Sequence, residues 1–201
     1  MGIFYNEKEK SFRLDAKNTS YMLKVIDDGY LAHVYFGKKV PDEDLGYLLR
    51  MDEIPTPMVK NRERGTFMDA TPFEYSCFGL GDYRESCLKI TDKDGMTTVD
   101  LRYVSHKIYK GKPKLKGLPA TFTNNDNEAD TLEVLMRDRH NGLEATLIYT
   151  AFADLDVITR SITLKNNGEF PINITRVLST CVDFDHDKFD MITLNGSWAR
   201  E

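Results

Sequence analysis

The chain holds 201 residues, with 27 Lys and Arg against 32 Asp and Glu, a formal net charge of -5, and 41% hydrophobic residues. The length fits one large domain or two small ones. The acidic balance argues against nucleic acid or an anionic membrane as a partner held by bulk charge, and the apolar fraction argues against wholesale disorder. No apolar run approaches the roughly 20 residues that a membrane span needs. The start, Met1-Gly2-Ile3-Phe4-Tyr5-Asn6-Glu7, has neither the basic nor the apolar region of a secretory signal, so a cytoplasmic chain is expected.

The first elements read as short strands at 12–16, 21–26 and 31–36. Between the last two lies Asp27-Asp28-Gly29, a hairpin signal, because Asp and Gly tolerate the positive φ of tight turns. From Gly37 to about Tyr83 the periodicity fades. Pro41, Pro55, Pro57 and Pro72, with Gly46 and Gly65, interrupt any long helix or strand. Within it, 44–51 is the nearest thing to a helix and would be short. So long an irregular stretch in a compact domain reads either as a functional loop or as a surface connection packed by its own aromatics.

Strand patterning then resumes at 86–91, 98–109, 131–137, 143–153, 157–166, 172–183 and 190–194. The joints carry turn residues, as in His140-Asn141-Gly142 and Asn166-Asn167-Gly168. In the run from Leu143 to Thr150, Leu143, Ala145, Leu147 and Tyr149 share one face, as a half-buried strand requires. Many short strands with Gly and Asn turns predict an all-β fold, a large antiparallel β-sandwich with one long irregular loop region.

Reaction machinery is sparse. Cys77, Cys87 and Cys181 are an odd count with no zinc-type spacing, and read as reduced packing or surface residues. The four histidines form no i, i+4 pair, so no metal site is expected. Gly79-Leu80-Gly81 lacks the rest of a phosphate loop and reads as a turn. Asp183, Asp185, Asp187 and Asp190 surround His186, but the calcium-loop spacing is absent and a solvated loop is the simpler reading. Trp198 is the single tryptophan. Its indole face suits a sugar ring, although a core or interface position is the simpler reading on the residues alone.

Several segments together resemble the N-terminal region of family 36 glycoside hydrolases, the α-galactosidases of bacteria and fungi. They are Gly29-Tyr30-Leu31-Ala32-His33-Val34-Tyr35-Phe36-Gly37, Asp100-Leu101-Arg102-Tyr103, His106-Lys107-Ile108-Tyr109-Lys110-Gly111-Lys112-Pro113 and Leu118-Pro119-Ala120-Thr121. Further on come Glu128-Ala129-Asp130-Thr131-Leu132-Glu133, Gly142-Leu143-Glu144-Ala145-Thr146-Leu147, Val157-Ile158-Thr159-Arg160-Ser161 and Gly196-Ser197-Trp198-Ala199-Arg200-Glu201. The matches run in order along essentially the whole chain.

The resemblance implies that residues 1–201 form an N-terminal β-supersandwich, ending before a catalytic (β/α)₈ barrel that would itself need about 250 residues. It implies retaining hydrolysis of terminal α-galactosides of the melibiose and raffinose type, with both catalytic aspartates in the barrel. The family's Lys-Trp-Asp nucleophile motif does not occur in this sequence, so no catalytic residue is expected in this chain. Carried over position by position, Trp198 would wall the sugar pocket and Asp52 would accept hydrogen bonds from sugar hydroxyls. The segment from Phe73-Glu74-Tyr75 to Gly81-Asp82-Tyr83-Arg84 resembles a family motif without an assigned role. The resemblance further implies a homo-oligomer, a tetramer in the full enzyme, and no metal or organic cofactor. Two other readings stand beside it: a stand-alone sugar-binding β-sandwich, and a purely structural domain whose loop serves oligomer contacts.

Overall fold

The computed structural model describes residues 2–49, 71–79, 82, 84–117, 120–182, 184, 187–196 and 198. Among them are ten strands and no α-helix. A first antiparallel sheet takes β1 (Ile3–Asn6), β2 (Ser11–Asp15), β3 (Thr19–Val25) and β4 (Leu31–Lys38) in chain order. Strand β5 (Leu88–Thr91) pairs with β10 (Asn173–Val177), and β6 (Leu101–Lys110), β7 (Asp130–Asp138), β8 (Leu143–Phe152) and β9 (Val157–Asn166) form a second four-stranded sheet, again in chain order. Because the pairings within the two four-stranded sheets are antiparallel and join consecutive strands, short turns can connect neighbours, and Asp, Asn and Gly punctuate the strands. The expected Asp-Gly turn is present as a single 3-10 turn with φ of 60° at Asp28 and 78° at Gly29.

Register decides which residues face inward. Phe12 sits opposite Leu23 and Leu14 opposite Tyr21 in the first sheet. In the second, Leu132 faces Tyr149, Val134 faces Leu147 and Met136 faces Ala145. All of these are buried and join one core between the sheets. The alternation seen from Leu143 to Tyr149 is this inner face.

Four expectations need correction. Strand β1 was not expected; it has only four residues, yet Ile3 pairs with Leu14 and is buried, so Phe12 and Leu14 gain a neighbour on their open side. The 98–109 strand starts only at Leu101, because Val99 N–H bonds to the Phe78 carbonyl at 3.1 Å and Asp100 N–H to the Asp138 carboxylate at 2.6 Å instead of joining the ladder. The 172–183 strand ends at Val177. Residues 190–194 form no strand: their apolar side chains are solvent-facing, Leu194 at 93%, with no neighbouring strand among the described residues to pair with. The stretch 44–51, the nearest thing to a helix in the sequence, holds a 3-10 turn at Gly46–Leu49, and residues 50 and 51 lie outside the described residues.

One aromatic cluster closes the edge of the sandwich where β1 and β6 meet. The His106 ring lies 4.2 Å from Tyr5 and 4.8 Å from Phe12, centroid to centroid, and Nδ1 shares a hydrogen bond of 2.7 Å with the Tyr103 hydroxyl. Desolvation lowers the pKa of His106 below its usual 6.5, so the native state keeps the ring neutral. The unfolded chain takes up the proton first as pH falls. The chain therefore loses stability as pH drops below about 6.5. Urea denaturation midpoints at about pH 7.5 and about pH 5.5 check this, with a smaller pH effect expected in His106→Phe.

Candidate functional site

The inner face of β9 is apolar at Ile158, Ile162 and Leu164, and between them stands Arg160. Its register partner is Tyr149 on β8, and the guanidinium lies 5.0 Å from the Tyr149 ring centre and 5.5 Å from that of Tyr21 on β3. A cation in such a place needs an anion, and Glu74 supplies it from outside the regular strands. Residues 72–74 run along the free edge of β4: His33 N–H bonds to the Pro72 carbonyl at 2.7 Å, and Glu74 N–H to the Leu31 carbonyl at 2.9 Å. This edge pairing turns the Glu74 side chain into the core, where it is 0% exposed.

The carboxylate gathers three polar side chains there. Oε1 meets Arg160 Nη2 at 2.5 Å and accepts the Tyr149 hydroxyl at 2.8 Å. The Tyr21 hydroxyl reaches both oxygens, at 2.8 and 2.9 Å, and itself accepts from Arg160 Nη1 at 2.9 Å. His33 Nδ1 stands 3.3 Å from Oε2. Burial, and then the Glu74 charge, push both tyrosine hydroxyls well above their usual range, so they remain donors. Burial works against the Arg160 charge, but Glu74 holds it on and raises its pKa. With no solvent contact and its carboxylate tied to Arg160, Tyr149 and Tyr21, Glu74 has a structural place in the core, out of a substrate's reach for acid or base chemistry.

The same cluster meets the chain that leads to Trp198. Tyr75, next to Glu74, donates its hydroxyl to the Leu178 carbonyl at 2.8 Å, and Arg160 Nη1 reaches the Cys181 carbonyl at 3.5 Å. Beyond it the Phe184 ring packs at a tilt against Phe36 of β4, 6.0 Å between centroids, and against Phe189 at 4.6 Å. Trp198 then stands 80% exposed, with its indole available to a ligand or to a further surface. Asp52, the other expected sugar contact, lies outside the described residues. Asp187 and Asp190 of the acidic cluster are exposed, while Asp183, Asp185 and His186 are outside the described residues. Among the described residues no group of three metal-ligating side chains converges, and no helix is long and apolar enough to cross a membrane.

Sequence reasoning had marked Glu74 and Arg160 only as parts of resembling segments. A signal was present for Arg160, the one charge on an alternating face shared with Ile158 and Ile162. Glu74 carries no such periodicity, because it packs from an irregular segment.

Comparison with known proteins follows the same lines. Residues 29–201 match the model of the glycosyl hydrolase family 36 N-terminal domain. The chain is 41% identical to alpha-galactosidase AgaA of Geobacillus stearothermophilus over 100% of its own length and 28% of that protein's. It is 36% identical to the bifunctional alpha-galactosidase/sucrose kinase AgaSK of Mediterraneibacter gnavus, over 100% of this chain and 22% of the relative. The chain thus spans about a quarter of the length of these relatives. Among solved structures, GH36 alpha-galactosidase AgaB from Geobacillus stearothermophilus superposes with a TM-score of 0.79 at 40% identity, over 89% of this chain and 24% of that one. A variant of AgaA from the same organism, solved in complex with raffinose, gives a TM-score of 0.76 at 41% identity over 85% of this chain and 24% of that one.

Proposed function

The chain belongs to the glycosyl hydrolase family 36 N-terminal domain family, and from that premise we propose that it serves as the N-terminal, non-catalytic domain of a cytoplasmic α-galactosidase. The enzyme would remove terminal α-D-galactosyl residues, of the melibiose and raffinose type, with retention of configuration. The observation that carries this reading is similarity along the whole chain, at 41% identity, to a protein named as an alpha-galactosidase. The raffinose held by the AgaA variant supports the substrate class.

In this reading the nucleophile and acid/base are carboxylates of a (β/α)₈ barrel outside these 201 residues. They would stand about 5–5.5 Å apart, as a double displacement requires. The present chain would supply scaffold, subunit contacts in a homotetramer, and sugar contacts. Trp198 would lay its indole against the apolar face of galactose, and Asp52 would accept hydrogen bonds from its hydroxyls. No metal or organic cofactor takes part. The exposure of Trp198, at 80%, is what a pocket wall completed by another domain would show in this chain alone. It also suits the second reading, a stand-alone sugar-binding β-sandwich.

The test is hydrolysis of raffinose by the longer protein that carries this chain, followed by proton NMR. α-Galactose should appear first and mutarotate to the β form, whereas the 201-residue chain alone should release none. Initial β-galactose would refute retention, and galactose released by the 201-residue chain alone would refute the non-catalytic role.

A further inference from the structure

Asparagine is followed by glycine at Asn141-Gly142, Asn167-Gly168 and Asn195-Gly196. This dipeptide cyclises readily, because glycine has no Cβ to hold its backbone nitrogen away from the preceding side-chain carbonyl. In an unfolded chain the three pairs should react alike, and the fold separates them. The first two pairs lock each other at one end of the second sheet. Asn141 Oδ1 accepts from Leu143 N–H at 2.9 Å, and Asn141 N–H donates to the Asp138 carboxylate at 3.0 Å. Asn167 N–H donates to the Gly142 carbonyl at 3.2 Å. Gly168 N–H, whose nitrogen would have to attack, donates instead to Asn166 Oδ1 at 2.9 Å. Gly142 has a φ of 74°, and a Cβ there would stand 2.9 Å from the Gly168 backbone. Closing a five-membered ring needs the Asn side chain and its ψ to rotate together. At either turn that rotation would break these bonds.

Asn195-Gly196 carries none of these restraints. Both residues are exposed and lie in irregular chain, and among the described residues neither has a hydrogen-bond partner. A Cβ at Gly196 would meet nothing within 4 Å. Leu194 before the pair and Trp198 after it are also exposed. Both the rotation that cyclisation needs and the approach of solvent are therefore open here and closed at the other two pairs.

We propose that Asn195 is a modification site, at which the chain converts itself through a succinimide to aspartate and isoaspartate. The Gly196 backbone nitrogen attacks the Asn195 side-chain carbonyl carbon. A C–N bond forms, and the side-chain nitrogen leaves as ammonia, with the proton that the Gly196 N–H gives up. Solvent water then opens the ring. Cleavage of the new C–N bond leaves aspartate, and cleavage of the original backbone C–N bond leaves isoaspartate, with the chain running through the former side chain. Water is the only co-reactant, and nothing is oxidised or reduced. Either product places a new negative charge three residues before Trp198. The site is independent of the galactoside reading.

The folded full chain is incubated in mildly alkaline buffer made with heavy-oxygen water, sampled over time, digested at acid pH and mapped by mass spectrometry. Asn195 should be lost about tenfold or more faster than Asn141 or Asn167, since those two must first open their turns. Its peptide should take up one heavy oxygen and separate into aspartyl and isoaspartyl forms. In urea that unfolds the chain, the three losses should fall within about threefold of one another. Gly196→Ala should slow the loss at Asn195 about tenfold and leave the other two unchanged, because the added methyl hinders the attacking nitrogen. Loss at Asn141 or Asn167 as fast as at Asn195 in the folded chain would overturn the proposal. So would an equal spread of rates in urea, or an Asn195 that stays intact in the fold while the unfolded chain loses it.

Discussion

Arg160→Met should lower the unfolding free energy of the chain by about 3–5 kcal/mol, the range expected when one partner of a buried ion pair is removed. Glu74 would then remain 0% exposed with two tyrosine hydroxyls and no cation. Neutral donors stabilise a carboxylate less than a guanidinium at 2.5 Å does, and at 0% exposure Glu74 has no contact with bulk solvent in exchange. For a domain whose total stability is on the order of 5–15 kcal/mol, such a loss is a third or more. The double variant Glu74→Gln with Arg160→Met should recover most of it, since no charge is left buried and the Gln carbonyl still accepts from Tyr21 and Tyr149. Urea unfolding of the wild type, the two single variants and the double gives the coupling. A single variant within about 1 kcal/mol of wild type would show that the pair is not the tie described here.

The consequence reaches beyond stability. Glu74 joins the irregular segment to β4, β3 and β8, and Arg160 joins it to the chain after β10. One ion pair thus holds the return of the long irregular region against the departure of the Trp198 segment. Loosening it should raise local opening of both, read as faster amide exchange at residues 72–75 and 178–181 than in the strands.

What the sequence disclosed and what it hid follow from how far each signal reaches along the chain. The inner face of β8 was legible because alternation is a local pattern, and Leu143, Ala145, Leu147 and Tyr149 spell it within one strand. The Asp28-Gly29 turn was legible because positive φ restricts residue type. The Glu74–Arg160 pair was not, since its members lie far apart in sequence and meet only when β4, an edge segment and β9 are stacked. Strand β1 escaped notice because four residues carry too little pattern, and pairing with β2 makes the strand. Residues 190–194 erred the other way: Met191, Ile192 and Leu194 have the composition of a strand but no partner within the described residues. Family membership was legible from motifs spread along the chain; Trp198 faces solvent, and Asp52 lies outside the described residues.

Trp198 is where the proposed function is most exposed to test. An indole against a pyranose ring excludes water from both apolar faces and contributes through its area; truncating such an anchor costs about 2 kcal/mol or more. At 1.4 kcal/mol per factor of ten, that is roughly thirtyfold in kcat/KM. Contact with the ring in both ground and transition states places the loss in KM and leaves kcat largely intact. A folding defect would do the reverse, lowering the active fraction and hence the apparent kcat while the KM of the surviving enzyme stayed put. The most direct measurement is therefore the raffinose kinetics of Trp198→Ala in the longer protein that carries this chain. A KM raised roughly thirtyfold, with kcat within about threefold of wild type, is the predicted result; an unchanged KM would contradict a role for this domain in holding the sugar.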